Sequence, residues 1–178
     1  MSRDLNMILA GFGGQGVLFL GKVAAYAGLI DGKEVSWLPS YGPEMRGGTA
    51  NCSVCISEQP IGSPLVTAPN VLVAMNLPSY EKFIDTCEAG AVVVLDSFLI
   101  DVEVQRKDIK VFYVEATKLA SEKGLQGLAN MILLGKLFEA TAFASFDALQ
   151  GAVEKSVPPR KAHLVEKNME AIEVGRNA

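Results

Sequence analysis

The chain has 178 residues, with 16 Lys+Arg against 20 Asp+Glu and 49% hydrophobic residues. That length fits one compact domain, residues 1–178, and the apolar fraction is enough for a large core. The absence of any basic block or aromatic-basic interleaving argues against a nucleic-acid partner, and no apolar run approaches the ~20 residues that cross a bilayer.

Met1-Ser2-Arg3-Asp4-Leu5-Asn6 sets an acid beside a base and leads into a short apolar stretch followed by glycines. No small-residue cleavage site follows, so no secretory signal is expected. Met7–Ala10 reads as a buried strand and Gly11–Gly16 as a glycine-rich turn. Val17–Ile30 reads as a helix that is apolar on nearly every face, broken only by Lys22 and Tyr26. Gly32 then suits a left-handed residue just past the helix end.

Glu34–Leu38 is a second strand, and Pro39–Gly48, with two prolines and three glycines, a loop. Thr49–Ser57 alternates, with Ala50, Cys52, Val54 and Ile56 on one face and Thr49, Asn51, Ser53, Cys55 and Ser57 on the other. Such polar-out alternation predicts an antiparallel or edge strand. Val71–Met75 and Ala91–Leu95 are continuous apolar runs, which predicts parallel strands covered on both faces. A helix from Ser79 to Cys87, capped by Ser79, is expected between them.

Val111–Val114 is a further strand. From Thr117 the pattern turns helical, over Leu128–Ala142, Phe146–Val157 and Ala162–Val174. The fold class expected is α/β: a three-layer Rossmann-like domain with a mostly parallel, mixed sheet and a helical C-terminal third.

Gly11-Phe12-Gly13-Gly14-Gln15-Gly16 fits G-x-G-x-x-G between a strand and a helix, the context that gives the pattern meaning. Glycines there allow a tight turn and close approach of a ligand, and the first-turn N–H groups of the helix favour an anion. A dinucleotide site also wants an acid at the end of the second strand, where this chain has Leu38-Pro39-Ser40. Glu34 stands at the wrong end of that strand, and no Lys-Ser/Thr of a Walker A sequence follows the glycines. Anion or cofactor contact and a purely structural turn both stand as readings of the loop. Arg46 in Tyr41-Gly42-Pro43-Glu44-Met45-Arg46-Gly47-Gly48 offers a planar fork to carboxylate or phosphate, or a local pair with Glu44.

The glycine loop, the Ser40–Gly48 segment and Ile61-Gly62-Ser63-Pro64 together resemble the gamma subunit of 2-oxoacid:ferredoxin oxidoreductases. Asn130-Met131 with Leu134-Gly135, and Asn168 with Ala171 and Gly175, look like the same family. The resemblance covers essentially the whole chain, and in related enzymes the same unit is a domain of a longer chain. It implies a complex that converts a 2-oxoacid and coenzyme A to acyl-CoA and carbon dioxide, with electrons passing to ferredoxin.

By the same resemblance, thiamine diphosphate, Mg and iron–sulfur clusters sit on alpha and beta subunits, with a ferredoxin-like delta subunit as a further candidate partner. No catalytic residue and no metal site is then expected on this chain, which alone should be inactive. Gly11, Gly13, Gly14, Gln15, Gly16, Arg46, Gly47 and Gly48 are the candidate contacts to coenzyme A or to a partner subunit. A stand-alone dinucleotide-binding oxidoreductase and a pure scaffold are the alternatives.

Cys52, Cys55 and Cys87 are too few for a disulfide scaffold, which makes a reducing cytoplasm the default. Cys52 and Cys55, three apart on a strand, point to opposite faces and cannot pinch a metal. His163, the sole histidine, has no visible partner. Asp96 and Asn76 end strands where ligands gather in open α/β sheets, and each equally suits a local cap, Asp96 through Ser97.

Overall fold

The computed structural model describes residues 4–40 and 49–178. Six strands form one sheet in the order β2-β3-β1-β4-β5-β6. They are β1 (Leu5–Phe12), β2 (Glu34–Ser40), β3 (Thr49–Ser57), β4 (Val71–Ala74), β5 (Val92–Asp96) and β6 (Lys110–Val114). β1, β4, β5 and β6 run parallel, whereas β3 lies antiparallel between β1 and β2. The sheet is therefore mixed, as the alternation of Thr49–Ser57 predicts. β2 and β1 run the same way, so their carboxyl ends share one edge.

The helices are α1 (Val17–Ile30), α2 (Leu77–Phe83), α3 (Ala116–Glu122), α4 (Ala129–Thr141), α5 (Phe146–Ser156) and α6 (Leu164–Arg176). Met7, Leu9, Cys52, Val54, Val73 and Val94 face the α1–α4 side, and Ile8, Ala10, Cys55, Leu72, Val93 and Leu95 face the other. This is the period-2 split that strands impose. α5 packs on α1 and α6 on α4, which explains why α1 is apolar nearly all round. The carboxylate of Asp31, at the end of α1, accepts from the N–H and hydroxyl of Ser145, which in turn caps α5 through Ala148 N at 3.1 Å. Gly32 has a φ of 75°, the left-handed stop expected of it.

Three expectations are corrected. β3 is neither an edge nor solvated on its polar face: Ser53, Cys55 and Ser57 are all buried. The segment after β3 lies over Cys55 and Ser57, with Val66 and Ile61 in the same apolar cluster as Cys55. α2 starts at Leu77, capped by Asn76 Oδ1 accepting from Ser79 N at 2.9 Å, so Ser79 lies inside the helix and is fully buried. Past Phe83 the chain tightens into a 3-10 turn, Ile84–Thr86. Pro39 continues β2 rather than opening a loop, which an edge strand tolerates because a proline's missing N–H can face outward.

Candidate functional site

The glycine loop leaves β1 at Phe12 and enters α1 at Val17, at the carboxyl edge of the sheet. Gln15 N–H donates to the Phe12 carbonyl at 3.2 Å and closes the turn. Gly14 and Gly16 have φ of 97° and 76°, which side chains with a Cβ rarely adopt. The first turn of α1 has no side-chain cap, so its N–H groups are left to the site. Beside the loop lies a hollow of about 330 Å³ bounded by Gly14, Gln15, Met75, Thr117, Gln126 and Gly127.

Register brings the neighbouring strand ends to the same place. Phe12 pairs with Thr49, which therefore stands beside the end of β1, and Ser40 pairs with Asn51, which places it one strand further out and level with Ala10. Large apolar side chains stand exposed at this edge, Phe12 at the end of β1 and Phe98 and Leu99 just past β5.

A family model described as pyruvate ferredoxin/flavodoxin oxidoreductase matches residues 6–178. The chain belongs to this family. It is 39% identical over 175 residues to the 2-oxoglutarate synthase subunit KorC of Methanothermobacter marburgensis, covering 94% of this chain and 92% of that one. It is 41% identical over 133 residues to the ketoisovalerate oxidoreductase subunit VorA of the same organism, of whose length it spans 28%. Its fold matches the keto/oxoacid ferredoxin oxidoreductase gamma subunit from Geobacter sulfurreducens with a TM-score of 0.86 and 28% identity, over 98% of this chain and 95% of that one. The resemblance drawn from the two loops, and the α/β class with its mixed sheet, are thus borne out.

Within this family member the candidate residues divide. Gly13, Gly14, Gln15 and Gly16 form the loop, whereas Gly11 lies inside β1, buried and paired with Ala50. A Cβ on Gly11 would stand 2.7 Å from both Gln15 Oε1 and Val17 Cγ2, so its bareness serves packing. Arg46, Gly47 and Gly48 lie outside the described residues.

Gln15 turns its amide inward: Oε1 accepts from Phe12 N at 2.6 Å and Asn76 Nδ2 at 3.1 Å, and Nε2 donates to the Met75 carbonyl at 3.1 Å. Asn130, at the start of α4, donates to the Gly16 carbonyl at 3.0 Å. Neither role is visible locally, because apart from Phe12 the partners lie 60 to 114 residues away.

Asp96 caps, but not through Ser97. Its Oδ2 accepts from Thr117 N at 3.1 Å and Thr117 Oγ1 at 2.5 Å, and Oδ1 accepts from Phe98 N at 3.3 Å. Burial pushes its pKa up, against the pull of these hydrogen bonds. Glu34 sits at the amino edge, paired with Ser57, far from where a ribose acid would stand.

Cys52 and Cys55 do point to opposite faces, and all three thiols are free. Burial raises the Cys52 thiol to about 12, partly offset by the Trp37 N–H, and the Cys87 thiol to about 11. Both stay protonated and unreactive at neutral pH. Among the described residues no group of three His, Cys, Asp or Glu could hold a metal ion, and His163 is exposed. No helix among them is long and apolar enough to cross a membrane.

Proposed function

We propose that this chain is the gamma subunit of a multi-subunit 2-oxoacid:ferredoxin oxidoreductase, folded as one gamma-type domain and working in the cytoplasm. The observation that carries this reading is the two-way, nearly full-length match to a chain named as a 2-oxoglutarate synthase subunit. Relatives are named for 2-oxoglutarate and for ketoisovalerate, so the substrate proposed is the class of 2-oxoacids.

The carboxyl edge is then the face that meets alpha and beta subunits. Phe12, Phe98 and Leu99 supply apolar area to bury, and the glycine loop supplies uncapped N–H groups. Thiamine diphosphate, Mg and iron–sulfur clusters belong to the partner subunits in this reading. Coenzyme A, when bound, brings the thiol that accepts the acyl group and phosphates that suit charge-assisted contacts. The residues toward those phosphates are the loop's N–H groups and Arg46, with Gly47 and Gly48 leaving room around it.

Co-expression with the genes beside its own should yield a stoichiometric complex that reduces ferredoxin only when a 2-oxoacid and coenzyme A are both present. A chain that elutes alone under those conditions overturns the subunit reading. Arg46→Ala should cost about 1–3 kcal/mol, as the loss of one charge-assisted contact. The loss shows either as a raised KM for coenzyme A with the complex intact on a sizing column, or as a complex that falls apart. Full assembly with an unchanged KM would confine Arg46 to local loop structure.

A further inference from the structure

Three carboxamides converge on the glycine loop. Gln15 uses both acceptor positions of its oxygen, on Phe12 N and Asn76 Nδ2, and one amide proton on Met75. Asn76 is fixed in turn, since its oxygen caps α2 at Ser79 while its amide reaches Gln15. On the far side Asn130 holds the Gly16 carbonyl and sits over Gly16, so that a Cβ there would come within 2.9 Å of the Asn130 Cγ. Asn76 and Asn130 are only 3% and 4% exposed. The loop is thus fastened to β4 and α2 on one side and to α4 on the other, all from within this chain.

A segment so rich in glycine would otherwise sample many shapes, and fixing a residue's backbone costs roughly 1–2 kcal/mol. When that ordering cost is met on folding, it does not weaken later association. We propose that Gln15 and Asn130 are positioning residues that hold the glycine loop, before assembly, in the shape the catalytic subunits dock against. This rests on the gamma-subunit reading and adds what makes its docking edge competent. It also separates the roles within the motif: Gln15 acts on the loop, and Gly14, with φ 97° and open space around it, is the part presented outward.

The test uses the chain co-expressed with the subunits encoded beside it, with dissociation of the complex followed by dilution in mass photometry and loop amides followed by hydrogen exchange. Gln15→Met keeps the length and removes all three side-chain bonds. It should loosen assembly roughly tenfold, the loss of one to two net hydrogen bonds, and speed exchange at Phe12. Gln15→Glu keeps the acceptor oxygen facing Phe12 and Asn76 but sets a charged oxygen against the Met75 carbonyl in place of the donor, so it should assemble more weakly than wild type. That pair still decides the matter if the methionine variant does not accumulate, because Gln15→Glu must then assemble more weakly than wild type. Faster exchange at Phe12 with wild-type dissociation overturns the positioning role while leaving the subunit reading intact. A wild-type chain that never assembles sinks the subunit reading, and the positioning role with it.

Discussion

At the carboxyl edge, Gly14 carries a φ of 97° with no heavy atom within 4 Å of where a Cβ would stand. At the crossing of α4 and α6, Gly135 and Gly175 have ordinary helical backbone. There a Cβ would run into the facing carbonyls of Ile172 and Ile132, far inside contact distance. The first region needs glycine for conformation and has room to spare; the second needs it for space and asks nothing unusual of the backbone. Hydrogen bonds from Gln15, Asn76 and Asn130 shape the edge, and close helix contact shapes the crossing. The edge is therefore open to a partner, while the crossing is sealed from one.

Gly175→Ala should break the crossing and is expected to have the largest effect. The new methyl meets backbone, which cannot rotate away, so α6 must move off α4. Overpacking of this kind costs about 3 kcal/mol or more, which for a chain of this size lowers Tm by roughly 6–12 °C. Scanning calorimetry measures it. A Tm within about 1 °C of wild type would show that the helices do not approach as closely as described.

Asp96→Asn should loosen the carboxyl edge at the start of α3. The substituted amide cannot accept at both positions, so at least one bond to Thr117 or Phe98 is lost, at a cost of about 1–3 kcal/mol. The pH dependence has a definite sign. Burial raises the folded pKa of Asp96 above its ordinary 3.8, so the native state holds this proton more tightly than the unfolded chain. Its contribution to stability is fully present below 3.8 and is lost as pH rises through the raised folded value. The advantage of wild type over Asp96→Asn in urea melts should narrow as pH rises from 3.8. A gap that widens over that range overturns the assignment.

Both regions left traces in the sequence, of unequal clarity. α1 is legible to the residue, Val17–Ile30, because an apolar run between a glycine loop and Asp31-Gly32 has sharp local ends. The antiparallel setting of β3 is legible from its alternation, but its burial is not, because the irregular segment that lies over Cys55 carries no periodic pattern to announce it. At α2, Asn76 and Ser79 can each cap, and Pro78 in the first turn decides for Asn76. Of the site, the glycines declare the loop, yet Gln15 looks like a ligand contact until Met75 and Asn76 are brought beside it. Gly135 and Gly175 look like two helix glycines anywhere; only the fold sets each against the other's helix.

Gly14→Ala sharpens the same contrast from the mild side. The methyl enters open space, so no neighbour resists it, and the whole cost comes from holding a residue with a Cβ at φ 97°. That cost is about 1–2 kcal/mol, a few degrees in Tm, smaller than the loss at the crossing. Gly62→Ala is the matched control, since it also meets nothing within 4 Å but carries no left-handed φ, and it should leave Tm unchanged. The two variants part further in the assembled enzyme. Gly14→Ala alters the surface and the shape of the loop that partners are proposed to meet, so it should weaken assembly beyond its small loss of stability. Gly62, on the segment after β3 and away from the carboxyl edge, should assemble as wild type. If Gly14→Ala melts a few degrees lower yet assembles normally, the loop is a turn and nothing more; if it melts as wild type, the left-handed residue is not needed there.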